Sequence, residues 1–275
     1  MIHSIKGEIL GTFLLVFFGC SAVVTSVTLG APVGLFQVAI VWGMGLAVAI
    51  FLCAGWSGAH FNPAITLALA CFGGFSFRRV PVYLGAQFLG AFLAAALVYL
   101  LYGAGIKEFE ETEGIQRGSI GSEASAMVFG EFYPNPGGAP LQERHRIRVS
   151  GGRAFMGEFV GTAILAIVVF SFVTREGSGR SELHAPLVVG ATLTVLICVF
   201  SPLTMAGFNP ARDFAPRVFS SLAGWGGVPF VVNGWGWLLV YIIAPCLGAL
   251  FGGYFSTRLL WPRVAADRSA ASAES

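Results

Sequence analysis

Apolar residues run along this chain in blocks far longer than the alternation of a strand or the one-sided stripe of a surface helix. No Asp, Glu, Lys or Arg occurs from Ile9 to Phe77, from Val80 to Ile106, from Leu183 to Ala211, or from Val218 to Thr257. About 20 apolar residues in a helix cross a bilayer. The blocks predict six spanning helices, at 5–28, 35–56, 80–103, 153–174, 184–203 and 235–258. Two further apolar stretches are interrupted by the same tripeptide, Asn62-Pro63-Ala64 and Asn209-Pro210-Ala211. Pro suits the first turn of a helix, where its missing N–H would be unpaired anyway. Asn is a preferred N-cap. Short half-helices are therefore expected to begin at Pro63 and Pro210. The predicted fold class is all-α integral membrane: six transmembrane helices plus two re-entrant half-helices.

The halves repeat. Gly7-Glu8-Ile9-Leu10-Gly11-Thr12 returns as Gly157-Glu158-Phe159-Val160-Gly161-Thr162, Phe61-Asn62-Pro63-Ala64 as Phe208-Asn209-Pro210-Ala211, and Leu89-Gly90-Ala91 as Leu247-Gly248-Ala249. The offsets are 150, 147 and 158 residues, in the same order. Three spans per half is an odd number, so the second half must insert upside down, and broken helices at matched places point to a path at the bilayer midplane. Gly7/Gly11, Gly157/Gly161 and Gly248/Gly252 have the small-xxx-small spacing of close helix packing.

Composition agrees. The chain is 56% hydrophobic and only 11% charged, against about 25% charged in a soluble domain. A net charge of +2 gives no reason to expect a nucleic-acid partner. Glu8, at the start of the first apolar run, argues against a cleaved signal peptide, whose n-region is basic. The five Cys (Cys20, Cys53, Cys71, Cys198, Cys246) lie in apolar segments without metal-ligand spacing. They read as small buried hydrophobes. No nucleotide-binding, hydrolase or metalloprotease signature occurs, so no enzyme, metal or cofactor is expected.

The chain divides into a first repeat over 1–106, a connecting loop over 107–152, a second repeat over 153–261 and a tail over 262–275 expected to be disordered. With the N-terminus inside, the cytoplasmic face receives Lys6, Arg78, Arg79, Arg175, Arg180, Arg258, Arg263 and Arg268. The other face receives Lys107, Arg117, Arg144, Arg146, Arg148 and Arg153, all in the long connection. The charge rule counts short loops, so both termini are placed in the cytoplasm, with the protein in the plasma or inner membrane and the connection outside. That connection reads either as a solvated link or as a structure at a pore mouth.

Two half-helix N-termini meeting from opposite faces carry a partial positive charge of roughly half a unit each. They make the midplane hostile to cations and protons, while Asn62 and Asn209 can hold a passing oxygen. Arg212 is a charge in apolar surroundings, a placement that costs about 2.5–3.5 kcal/mol on insertion scales. It reads as a pore-lining donor, with a structural pair to Asp213 as the other reading. Glu8 and Glu158 are expected to brace the loops before each Asn-Pro-Ala, and a proton-carrying role is the competing reading. His60 either lines the path or holds its loop.

Paired Asn-Pro-Ala boxes in inverted halves, Ser57-Gly58-Ala59-His60-Phe61 before the first box, and Arg212 after the second resemble the aquaporin, or major intrinsic protein, family over about 3–260. The resemblance implies a homotetramer in the lipid bilayer with one pore per subunit. Asp213, Arg217, Pro245 and Tyr133-Pro134-Asn135-Pro136 make the chain most similar to the glycerol-facilitator branch. The family's constriction maps to Trp42, Ile197, Ala206 and Arg212. That branch typically carries Gly and a second aromatic where this chain has Ile197 and Ala206, and filters of this composition also resemble those of plant nodulin-type channels. The carbonyls of Gly58, Ala59, His60, Met205, Ala206 and Gly207 are expected to line the path. The implied function is passive diffusion of glycerol and other small uncharged solutes, with some water, excluding ions and protons. A metalloid-acid or urea channel, or a water-selective one, is the alternative on the same fold.

Overall fold

The computed structural model describes residues 1–31, 34–173 and 184–262. The tail beyond Pro262, with Arg263 and Arg268, and the connection carrying Arg175 and Arg180 lie outside the described residues. Six helices are long and apolar enough to cross a bilayer. They are α1 (Ile2–Val27), α2 (Leu35–Ser57), α4 (Val80–Thr112), α5 (Gly151–Val173), α6 (His184–Thr204) and α8 (Gly236–Leu260). The half-helices are α3 (Pro63–Phe72) and α7 (Pro210–Ser220), each with its Pro in the first turn.

Two helices depart from the expected outline. α4 runs to Thr112, past the expected end at 103. Its charged extension is amphipathic: Ile106 is fully buried, Glu110 pairs with Arg117 at 2.7 Å, and Lys107 faces Glu111 at 3.4 Å. Those contacts carry the helix beyond the apolar block. α8 contains a widened π-turn at Leu239–Ile243 just before Pro245. Pro245 has no N–H to offer the preceding turn, so the ladder opens there. Tyr241, in that turn, donates its hydroxyl to the Thr204 carbonyl at 3.2 Å.

Packing repeats with the sequence. α1 packs on α2 and α4, and α5 packs on α6 and α8. The halves meet where α2 lies against α6, and each half-helix packs across the divide, α3 on α8 and α7 on α4. Glycines of the matched Leu-Gly-Ala triplets are points of close approach. A Cβ at Gly90 would sit 2.4 Å from the Ile9 carbonyl oxygen, and one at Gly248 would sit 2.2 Å from that of Phe159. Large apolar side chains such as Phe36, Phe51, Leu100, Val195 and Leu222 stay exposed, as expected of a surface whose solvent is lipid. Cys20 and Cys53 are buried as expected, Cys198 and Cys246 are half-buried, and Cys71 is exposed near the end of α3.

Candidate functional site

The four residues before each Asn-Pro-Ala form matched, strained loops. Gly58, Ala59 and Phe61 have φ of 82°, 55° and 48°, and their counterparts Met205, Ala206 and Phe208 have 64°, 65° and 53°. Left-handed backbone on non-Gly residues needs outside support. Two fully buried carboxylates supply it. Glu8 accepts from the N–H groups of His60 at 3.0 Å and Phe61 at 2.9 Å, and from Gln87 Nε2 at 2.7 Å. Glu158 accepts from the N–H groups of Gly207 at 2.9 Å and Phe208 at 2.6 Å. With their N–H groups turned to these acids, the loops leave carbonyls on the other side. The Phe61 and Phe208 rings fill the space over Gly11 and Gly161, where a Cβ would lie 2.0 and 2.1 Å from ring carbons.

The two boxes are tied to each other. Asn62 Oδ1 caps α3 through the Ala64 N–H at 2.9 Å, and its Nδ2 donates to the Phe208 carbonyl at 2.8 Å. Asn209 Oδ1 caps α7 through Ala211 N–H at 3.0 Å and Arg212 N–H at 3.3 Å, and its Nδ2 donates to the Phe61 carbonyl at 2.7 Å. Each amide therefore has a second N–H left to donate.

A cavity of about 200 Å³ runs past both Asn side chains. Its lining includes Trp42, Ile197, Ala206 and Arg212, and also Phe172 and Val173 from the end of α5 and Ala185 from the start of α6. One wall is aliphatic and aromatic, including Leu46, Ile50, Val189 and Leu193, and the other carries Gly58, Ala59, His60, Gly207 and the two amides. Met205 is not among the lining residues; its sulfur accepts from Phe132 N–H at 3.3 Å. His60 is among the lining residues, and its ring Nδ1 sits 3.2 Å from Thr66 Oγ1 while the ring packs on Phe75 and Tyr83.

Arg212 is buried and held on three sides. Its guanidinium carbon lies 4.2 Å from the Trp42 ring centroid, Nη1 is 3.5 Å from the Phe129 carbonyl oxygen, and Nη2 is 2.7 Å from Glu131 Oε1. Its carboxylate partner is thus Glu131, and Asp213 pairs instead with Arg217. Asp213 Oδ1 accepts from Arg217 Nη2 at 2.7 Å and from the Glu131 N–H at 2.8 Å. Arg217 also donates to the carbonyls of Glu131 and Pro229. This knot pins the long connection into the mouth of the cavity, where Asn135 Nδ2 donates to the Ser201 carbonyl at 3.1 Å. Burial pushes the Glu131 carboxyl up, and the Arg212 guanidinium 2.7 Å away draws it back down toward the ionised form.

Glu131, Phe129, Gln87 and Thr66 are site residues that sequence reasoning did not single out. Glu131 did carry a signal. It is the lone charge in Met127-Val128-Phe129-Gly130-Glu131-Phe132, an apolar run inside an otherwise polar connection. Among the described residues, no three His, Cys, Asp or Glu side chains converge as metal ligands.

Inverted repeats, two half-helices joined tip to tip, and a narrow amphipathic cavity define a multi-pass membrane protein built around a path for small molecules. A sequence profile of the major intrinsic proteins matches residues 1–255. The chain is 45% identical over 248 residues to a glycerol uptake facilitator protein of Pseudomonas aeruginosa, covering 89% of this chain and 84% of that one. It is 41% identical over 263 residues to the Escherichia coli glycerol uptake facilitator protein, covering 94% and 89%. The solved structure of the Plasmodium falciparum aquaglyceroporin is similar with a TM-score of 0.80 at 27% identity, covering 96% of this chain and 99% of that one. This chain belongs to the major intrinsic protein family.

Proposed function

We propose that the chain is a passive channel for glycerol and other small uncharged solutes, with some water, that excludes ions and protons. The carrying observation is the two-sided cavity: an apolar wall opposite a line of donors and carbonyls that ends at Trp42, Ile197, Ala206 and Arg212. A polyol entering it leaves water, and each hydroxyl that finds no new partner costs about 2–7 kcal/mol. Arg212, Asn62, Asn209 and the loop carbonyls replace the lost water in sequence, while Trp42 and Ile197 face the carbon backbone. The half-helix ends raise the energy of any cation at the amides. Glu8 and Glu158 brace the two carbonyl loops. The relatives that transport glycerol support glycerol as cargo. The family resemblance supports a homotetramer in the plasma or inner membrane, and the basic short loops support cytoplasmic termini.

The test is light scattering from proteoliposomes after a glycerol gradient, beside a sucrose control. Fast, pH-independent re-swelling in glycerol alone is expected. Fast water shrinkage without glycerol entry would overturn the glycerol reading and mark Ile197 as the residue that narrows the constriction. Faster entry of boric acid or urea than of glycerol would move the cargo to those solutes.

A further inference from the structure

We propose that Glu131 is a selectivity-determining residue of the constriction: it acts through Arg212, so that the two form a single neutral unit at the mouth. The inference rests on the channel reading above. Arg212 is the only cation within reach of the lined path among the described residues that line it. Its Nη2 lies 2.7 Å from Glu131 Oε1, and the Arg212 and Glu131 side chains are 6% and 0% exposed. Both Glu131 carboxylate oxygens are buried and neither has a hydrogen-bond partner among the described residues, so the contact with Arg212 is an ion pair by proximity. A loop residue does not place a carboxylate there by chance of orientation. Its N–H is fixed by Asp213 and its carbonyl by Arg217, and Gly207 leaves the room it needs, since a Cβ there would sit 2.1 Å from Oε2.

The other charged groups facing Glu131 are Glu158 on α5 and Asp213 and Arg217 on α7. Asp213 and Arg217 are satisfied by each other, which leaves Arg212 as the counter-charge of Glu131. The pairing has two consequences. A neutral unit at the mouth presents donors to a hydroxyl without a net positive field, so the barrier to ions falls mainly to the half-helix ends. It also makes Glu131 a latent hazard: an acid at the mouth of a watered path exchanges protons with that water unless Arg212 covers and ionises it.

The test uses the full chain in proteoliposomes, as the parent, Arg212→Ala, and Arg212→Ala with Glu131→Gln. Proton entry is read with an internal pH dye under a potassium diffusion potential, and glycerol entry is read in the same vesicles. Arg212→Ala is expected to pass protons about tenfold faster than the parent, equivalent to about 1.4 kcal/mol off the barrier. The double variant is expected to return to the parent's proton rate while still passing glycerol. A double variant that leaks protons as fast as Arg212→Ala would overturn the proposal, because a merely structural Glu131 would not restore tightness. Glu131→Ser in the same background repeats the comparison should the Gln variant fail to assemble. No glycerol entry through the parent would instead be the failure of the channel reading.

Discussion

Replacing Asp213 by Ala removes three hydrogen bonds from one buried point. Oδ1 accepts from Glu131 N–H at 2.8 Å and from Arg217 Nη2 at 2.7 Å, and Oδ2 accepts from Arg217 Nε at 3.0 Å. The Arg217 and Asp213 side chains are 2% and 1% exposed. Truncating one partner of a buried pair leaves the other charge uncompensated, at about 3–5 kcal/mol. The stranded Glu131 N–H adds about 1–3 kcal/mol if nothing replaces its acceptor. Arg217 keeps the carbonyls of Pro229 and Glu131, and losses within one network do not add, so about 4 kcal/mol is expected in all. That is a large share of a total stability of about 5–15 kcal/mol. A double variant, Asp213→Ala with Arg217→Met, removes both charges and should recover a good part of the loss, because a buried pair exchanged for apolar groups is often neutral. Unfolding in mixed detergent and SDS micelles, followed by circular dichroism, measures all three proteins. Glycerol entry through Asp213→Ala should also slow, because the knot that seats Glu131 beside Arg212 is gone. An Asp213→Ala protein as stable as the parent, or a double variant less stable than the single, would refute the view that this ion pair holds the connection in the mouth.

Glu8→Ala and Glu158→Ala each strand two buried loop N–H groups, a cost of about 2–6 kcal/mol at about 1–3 each. The same unfolding assay should find both variants destabilised, and a loss confined to one half would contradict the symmetry of the repeat. Asn209→Ala loses the cap on α7 and the tie to the Phe61 carbonyl; capping alone predicts about 1 kcal/mol. Glycerol entry through this variant should slow and proton entry should rise, and unchanged flux of both would take the amide out of the path.

What the sequence made legible was whatever repeats or has a period. Apolar blocks locate the spans because lipid tolerates nothing else, and Pro63 and Pro210 locate the half-helices because Pro is confined to a first turn. The doubled Gly7-Glu8 and Gly157-Glu158 motifs point to paired acids, and the structure sets both against the loops that precede the boxes. Glu131 and Phe129 stayed hidden because they have no partner in the repeat. Glu131 lies in the connection, which has no counterpart in the other half, and its contact with Arg212 spans 81 positions of chain without any local pattern. The extension of α4 to Thr112 was hidden for a similar reason: a charged, amphipathic turn looks like the start of a loop until Ile106 and Glu110 find their partners. Trp42 on α2, Ile197 on α6, Ala206 in the loop before the second box and Arg212 on α7 are all among the residues lining the cavity.

The departures at Ile197 and Ala206, together with Gly207 beside them, make physical sense as one arrangement. A large ring on the loop at Ala206 would occupy the loop side of the mouth, and a side chain at Gly207 would strike the Glu131 carboxylate, 2.1 Å from where its Cβ would stand. Small residues at both places clear that side for the Glu131–Arg212 pair. The apolar wall then has to come from the helices, and Ile197 on α6 supplies it next to Trp42 on α2. Arg212 is clamped between the two, its face 4.2 Å from the Trp42 ring and its edge on Glu131.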